Sequence, residues 1–190
     1  VSGQGTSTLN VTWNVLGPQS ISLTYTNTTG CPASSPTVAT VFVNAPPAAA
    51  GAVTGTASVC AGTNGVAYST TPIAGITSYS WTVPTGASIA TGAGTTSITV
   101  NYGSSAVSGN VTVAGTNQCG NGPSSTFAVT VNPLPASAGT ITGPLSVCAG
   151  ATGVAYSVPT IANATSYVWT VPAGATITSG GTTKNIVVTF

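Results

Sequence analysis

Four cysteines and one lysine carry almost all the reactive chemistry that this 190-residue sequence could offer. It contains no Asp, Glu or His, and Lys184 is its only formally charged side chain. General acid–base catalysis needs a group that gains and loses a proton near neutral pH, usually His, Asp or Glu. Hard cations need carboxylates, and zinc needs clusters of Cys, His or carboxylate. Neither "VCAG" at Cys60 nor "QCGN" at Cys119 has the Cys-x-x-Cys spacing of a zinc or redox motif. The residue types therefore argue strongly against an enzyme, a metal site and a cofactor, and leave the cysteines to structural use.

Composition narrows the remaining classes. Only 1% of the residues are charged and 42% are hydrophobic, where a soluble domain has about 25% charged. Mean hydropathy is +0.43, yet no run of 18 apolar residues exists for a spanning helix. Thr and Ser, about 30% of the chain, interleave with the apolar residues instead, as in "TSITVNY" and "STFAVTVN". No charged n-region precedes an apolar segment, so no signal peptide is read here. One lysine cannot displace the counterions of a nucleic acid. A net charge of +1 gives copies nothing to repel each other with, which favours association. Neighbouring copies in an assembly are the expected partners, with other repeats of the same chain.

The elements that position the cysteines repeat. "SVCAGTNGVAYSTTPIAGITSYSWTVPTGASIATG" from Ser58 recurs as "SVCAGATGVAYSVPTIANATSYVWTVPAGATITSG" from Ser146, 88 residues on. The offset pairs Cys60 with Cys148, Tyr68 with Tyr156, and Trp81 with Trp169. It also pairs Cys31 with Cys119. Self-similarity at a fixed period signals an array of like units. The linkers "NAPPAAAG" and "NPLPASAG" mark the boundaries. The sequence divides into the C-terminal part of one repeat (1–44), a complete repeat (45–132) and the N-terminal part of another (133–190). Both ends fall inside a repeat, so a segment of a much longer protein is expected.

Within the complete repeat, apolar residues alternate with small polar ones in short runs bounded by Gly, Pro, Asn and Ser, the pattern of half-buried strands. About seven strands and a central Trp predict an all-β chain of tandem immunoglobulin-like sandwiches. Tyr68, Tyr79, Trp81, Val100, Val113, Phe127 and Val129 are the expected core. Trp13, Tyr102 and Phe190 end equivalent strands and continue the inward alternation. As an exposed periodic platform they would instead grip carbohydrate. Lys184 stands where the previous repeat has Thr96 and is expected to be solvated.

Four cysteines allow three pairings. In a sandwich of seven strands, the start of the first strand and the loop before the last strand share a pole. That predicts a Cys60–Cys119 disulfide, leaving Cys31 and Cys148 unpaired. A bridge of this kind contributes about 2–4 kcal/mol and implies an oxidising, extracellular setting.

The run "SVCAG…VAYS…TSYSWTVPTGASI…GTTSITVNY…GNVTVAGTNQCG…FAVTVNP" resembles the PKD-like repeat of very long secreted and cell-surface proteins of Bacteroidota. The likeness covers essentially the whole chain. Better-known PKD domains carry Trp-Asp-x-Gly-Asp-Gly, whereas Trp81 is followed by "TVPTGA", so acid-dependent features do not carry over. The resemblance implies export and a place in stalks, adhesins, gliding fibres or spacers beside catalytic domains. The expected role is a non-catalytic module of an extracellular stalk or filament, with a glycan-binding adhesin or a spacer as alternatives. Asn-x-Thr sequons at Asn10, Asn27, Asn110 and Asn163 would allow surface glycans.

Overall fold

The computed structural model describes Val1–Phe190 and contains strands but no helix. The strands are β1 (Gly17–Leu23), β2 (Thr37–Val43), β3 (Thr54–Gly55), β4 (Ser58–Cys60), β5 (Val66–Ser69), β6 (Ser78–Thr82) and β7 (Ala87–Thr91). They continue with β8 (Ser97–Tyr102), β9 (Gly109–Asn117), β10 (Gly120–Asn121), β11 (Ser125–Asn132), β12 (Val154–Ser157), β13 (Thr176–Ser179) and β14 (Asn185–Thr189).

Strands β3 to β11 make one complete sandwich. One sheet runs β3-β5-β8-β7; in the other, β9 is flanked by β6 and β11, and β4 lies outside β11. The first strand is split between the sheets: β3 runs antiparallel to β5, whereas β4 runs parallel to β11. Counting β3 and β4 as one strand that changes sheet, and β10 as the tail of the β9 hairpin, gives seven strands in an immunoglobulin-like arrangement.

Fourteen buried residues form the core between these sheets. Alternation explains which they are. Ile98, Val100 and Tyr102 of β8 and Val111 and Val113 of β9 point inward and are at most 2% exposed, while Thr99, Asn101 and Thr112 between them point to the other face and are less buried. Each larger apolar side chain buried this way contributes about 1.5–3 kcal/mol. Of the expected core residues, Tyr68, Trp81, Val100, Val113 and Val129 lie in this cluster, with Tyr79 and Phe127 packed against it. Tyr68 and Phe127 meet edge to face at 6.0 Å between ring centres.

The outer units are partial copies of the same plan. In the third unit β14 pairs with β12 and β13 as β8 pairs with β5 and β7. Even the bulge recurs, between Ile89 and Thr91 and again between Ile177 and Ser179. The segments matching β4 and β6 are not strands there. The reason is pairing: β4 bonds only to β11 and β6 only to β9, and residues 133–190 hold no counterpart of β9 or β11. That counterpart stands at the other end of the chain, as the β1–β2 hairpin. Its Ile21↔Ala39 pairing reproduces Val111↔Phe127 of β9–β11, once two extra residues in its turn are allowed for.

Glycine lets the backbone lie against an aromatic ring in the complete repeat and again in the third unit. A side chain at Gly55 would strike the Tyr68 ring, and one at Gly143 would strike the Tyr156 ring. Gly55→Val is expected to lower the stability of the complete repeat by about 1–3 kcal/mol, the cost of overpacking, read as a lower midpoint in urea with an unchanged slope.

Candidate functional site

Two places combine polar geometry with burial or accessibility: a tyrosine pair in the core and the surfaces where the units meet. The Tyr68 hydroxyl donates to the Thr56 carbonyl at 2.9 Å. It therefore accepts from the Tyr102 hydroxyl, 2.8 Å away. Both rings are at most 1% exposed. Burial raises both phenol pKa values above the usual 10; the hydroxyl–hydroxyl bond raises Tyr102 further and partly offsets the rise at Tyr68. A satisfied, water-excluded pair of phenols holds the β3–β5–β8 layer together. It has no neighbouring base and no opening to a substrate.

The aromatic side chains are likewise pinned. The Trp81 indole N–H donates to the Thr95 carbonyl at 2.9 Å, and Trp169 makes the same bond to Thr183 at 2.8 Å. The Tyr79 hydroxyl accepts from the Ile73 amide, as the Tyr167 hydroxyl does from Ile161. Tyr102 is fully buried, so it cannot belong to an exposed carbohydrate platform with Trp13 and Phe190. Lys184 reaches the Thr160 hydroxyl at 3.0 Å.

The expected Cys60–Cys119 bridge is not formed, and all four cysteines are free and exposed. The register of β4 explains why. Because β4 runs parallel to β11, Cys60 lies opposite Asn132, where β11 ends. Cys119 lies in the β9–β10 turn, beside the start of β11. The length of β11 separates them, about 23 Å at 3.3 Å per residue, where a disulfide needs Cα atoms within about 7 Å. The two thiols stand at opposite poles of the sandwich.

Each pole is a linker contact. At the entry pole the Asn117 side-chain amide donates to the carbonyls of Ala45 and Gly75, at 2.8 and 3.2 Å. Asn117 Oδ1 accepts from the Cys119 amide at 2.8 Å, and Cys119 Sγ sits 3.5 Å from the Asn44 carbonyl. The first unit builds the same turn, with Asn27 Oδ1 accepting from the Cys31 amide at 2.9 Å. At the exit pole the Ala61 amide donates to Asn132, whose side chain reaches Ser58 and Val59. The linker then docks on the next unit, with Asn163 donating to the Leu134 carbonyl at 3.3 Å and Ala136 to Ala162 at 3.0 Å. Sequence periodicity finds these asparagines only as sequon or turn residues; their linker bonds come from the fold. No group of three or more Cys, His or acidic side chains stands close enough to hold a metal ion. No helix is long and apolar enough to cross a membrane.

The sheet order, the sheet-switching first strand and the buried Trp81 define an immunoglobulin-like sandwich module. A model of the PKD-like domain family matches residues 46–129 and again residues 134–190, so the chain belongs to the PKD-like domain family. No curated protein matches it.

Proposed function

We infer that this chain is a non-catalytic structural module of an extracellular stalk or filament, in which PKD-like sandwiches follow one another along a rod. The observation that carries the reading is the hydrogen-bonded linker. Asn117 ties Ala45, and Asn163 ties Leu134, so at both junctions a side chain fixes the linker to the unit that it enters. Pro-rich linkers add stiffness. The family and the near absence of charge suit a secreted, surface-exposed array, of the kind built by Bacteroidota. The adhesin reading relied on an aromatic platform that includes Tyr102, and Tyr102 lies in the core.

The test is small-angle scattering on concatenated copies of residues 45–132. The maximum dimension should rise by about 35–45 Å per added repeat, from strand length plus linker, and Asn117→Ala should shorten the mean dimension by loosening the joint. Collapse into a compact particle as repeats are added would overturn the rod. Saturable binding on a glycan array would favour adhesion instead.

A further inference from the structure

Both cysteines of the complete repeat lie against a linker. Cys60 ends β4 and stands opposite Asn132, the last residue of β11. The Ala61 amide donates to the Asn132 carbonyl at 2.9 Å. Leu134 of the outgoing linker then lies against Gly62. The other cysteine meets the incoming linker. Cys119 Sγ rests 3.5 Å from the Asn44 carbonyl, and Asn117 of the same turn donates to the Ala45 carbonyl at 2.8 Å. A side chain at Gly122 would strike the Pro47 and Ala48 carbonyls, so this turn follows the linker further in. Both thiols are exposed.

Asn44 and Asn132 are the same position of the repeat, 88 residues apart. One junction shows the Cys119 turn on this asparagine, and the other shows the Cys60 turn on it. Wherever two complete units follow one another, both turns therefore meet one linker. We propose that Cys60 of one unit forms a disulfide with the Cys119 counterpart of the unit that follows it, a covalent clasp across each junction of the array. This is not the bond within a unit, where the length of β11 holds the two thiols apart. The clasp rests on the rod reading, because it needs units in tandem, and it names what fixes their joints.

Register and reach agree. Paired strands set Cys60 about 4.8 Å from Asn132, and Cys119 already touches the matching asparagine. Cys60 and Asn132 both alternate with the inward Val59 and Val131, so their side chains point away from the core. Two cysteines that share one asparagine stand in the range a disulfide bridges, with Cα atoms within about 7 Å. Cys31 repeats Cys119, and Cys148 repeats Cys60. Each clasp joins an entry-side cysteine to the exit-side cysteine of the unit before it. By that rule no two of the four cysteines here are partners, in keeping with all four being free. In each bond two thiols lose two protons and two electrons, and a disulfide oxidant such as oxidised glutathione is reduced to two thiols.

The experiment uses two copies of residues 45–132 in one chain. All fourteen core residues lie between Val53 and Val131, so each copy carries its own core. Joining Asn132 to Ala45 reproduces the natural Asn44–Ala45 link. Three versions each keep two thiols, the others being removed by Cys60→Ser or Cys119→Ser. The first keeps Cys60 in the leading copy and Cys119 in the trailing one. In a glutathione redox buffer it should close an intramolecular disulfide, with an effective concentration of about 1 mM or more. Non-reducing electrophoresis should show a faster band, and both free thiols should disappear. The second version keeps Cys119 in the leading copy and Cys60 in the trailing one, at the far ends. The third keeps both in one copy. Neither should close. Circular dichroism should match across the three, because both side chains are exposed. Free thiols at equilibrium in the first version, or equal closure in the third, would overturn the clasp. Scattering in reducing buffer reads the rod alone: a rod without the bond sinks only the clasp, and a compact particle sinks the rod reading with it.

Discussion

Trp81→Ala is expected to unfold most of the margin of the complete repeat, and Trp169→Ala, in nearly the same local sequence, to cost far less. The Trp81 indole is 9% exposed and fills the space between the sheets. Deleting it leaves a cavity, at about 3–5 kcal/mol for a large aromatic, and strands the Thr95 carbonyl that its N–H satisfies. A domain of this size holds about 5–15 kcal/mol in all. Trp169 keeps the equivalent bond to Thr183 but lines an open cleft, so in dilute solution its removal exposes little that was dry. Hydrogen exchange separates the two. Protection should vanish across β5–β11 in the Trp81 variant and change only across β12–β14 in the Trp169 variant. Equal losses would mean that the third unit is closed in the monomer.

The contrast shows what the sequence carries and what it leaves to the fold. Alternation in "TSITVNY" and "STFAVTVN" identifies inward residues because side chains in a strand change face at each step. That is enough to find the sandwich and the Tyr68, Trp81, Val113 and Val129 core. Alternation says nothing about which neighbour a strand adopts. The first strand runs from Thr54 to Cys60, antiparallel to β5 and then parallel to β11, so its direction carries Cys60 to the far pole. A reading that places Cys60 at the pole where the first strand starts puts it beside Cys119. Burial is equally non-local. Trp13, Tyr102 and Phe190 occupy matching positions, but only Tyr102 is fully buried, because only its repeat has both sheets.

The pH profile should be flat in acid and fall in alkali. No side chain is a carboxylate or an imidazole, so the protonation steps that unfold most proteins in acid are missing. The melting temperature should barely move between about pH 4 and pH 8. Tyr68 and Tyr102 act at the other end. Burial raises both pKa values in the folded chain, whereas in the unfolded chain a tyrosine titrates near about 10. Above that pH the unfolded state sheds protons that the folded state keeps. The pair's contribution is therefore whole below about pH 10 and drains as pH rises beyond it. Tyr102→Phe is the informative variant, since Phe190 holds the same place in the third unit. At neutral pH it should cost about 1 kcal/mol for the lost hydrogen bond. Above about pH 10 its stability should fall less steeply than the parent's, because one of the two raised phenols is gone. Urea titrations across this range measure both slopes. A parent-like alkaline slope in Tyr102→Phe would place the alkaline transition outside the pair, and a steep acid limb in the parent would mean that some group other than a carboxylate or imidazole governs the folded state.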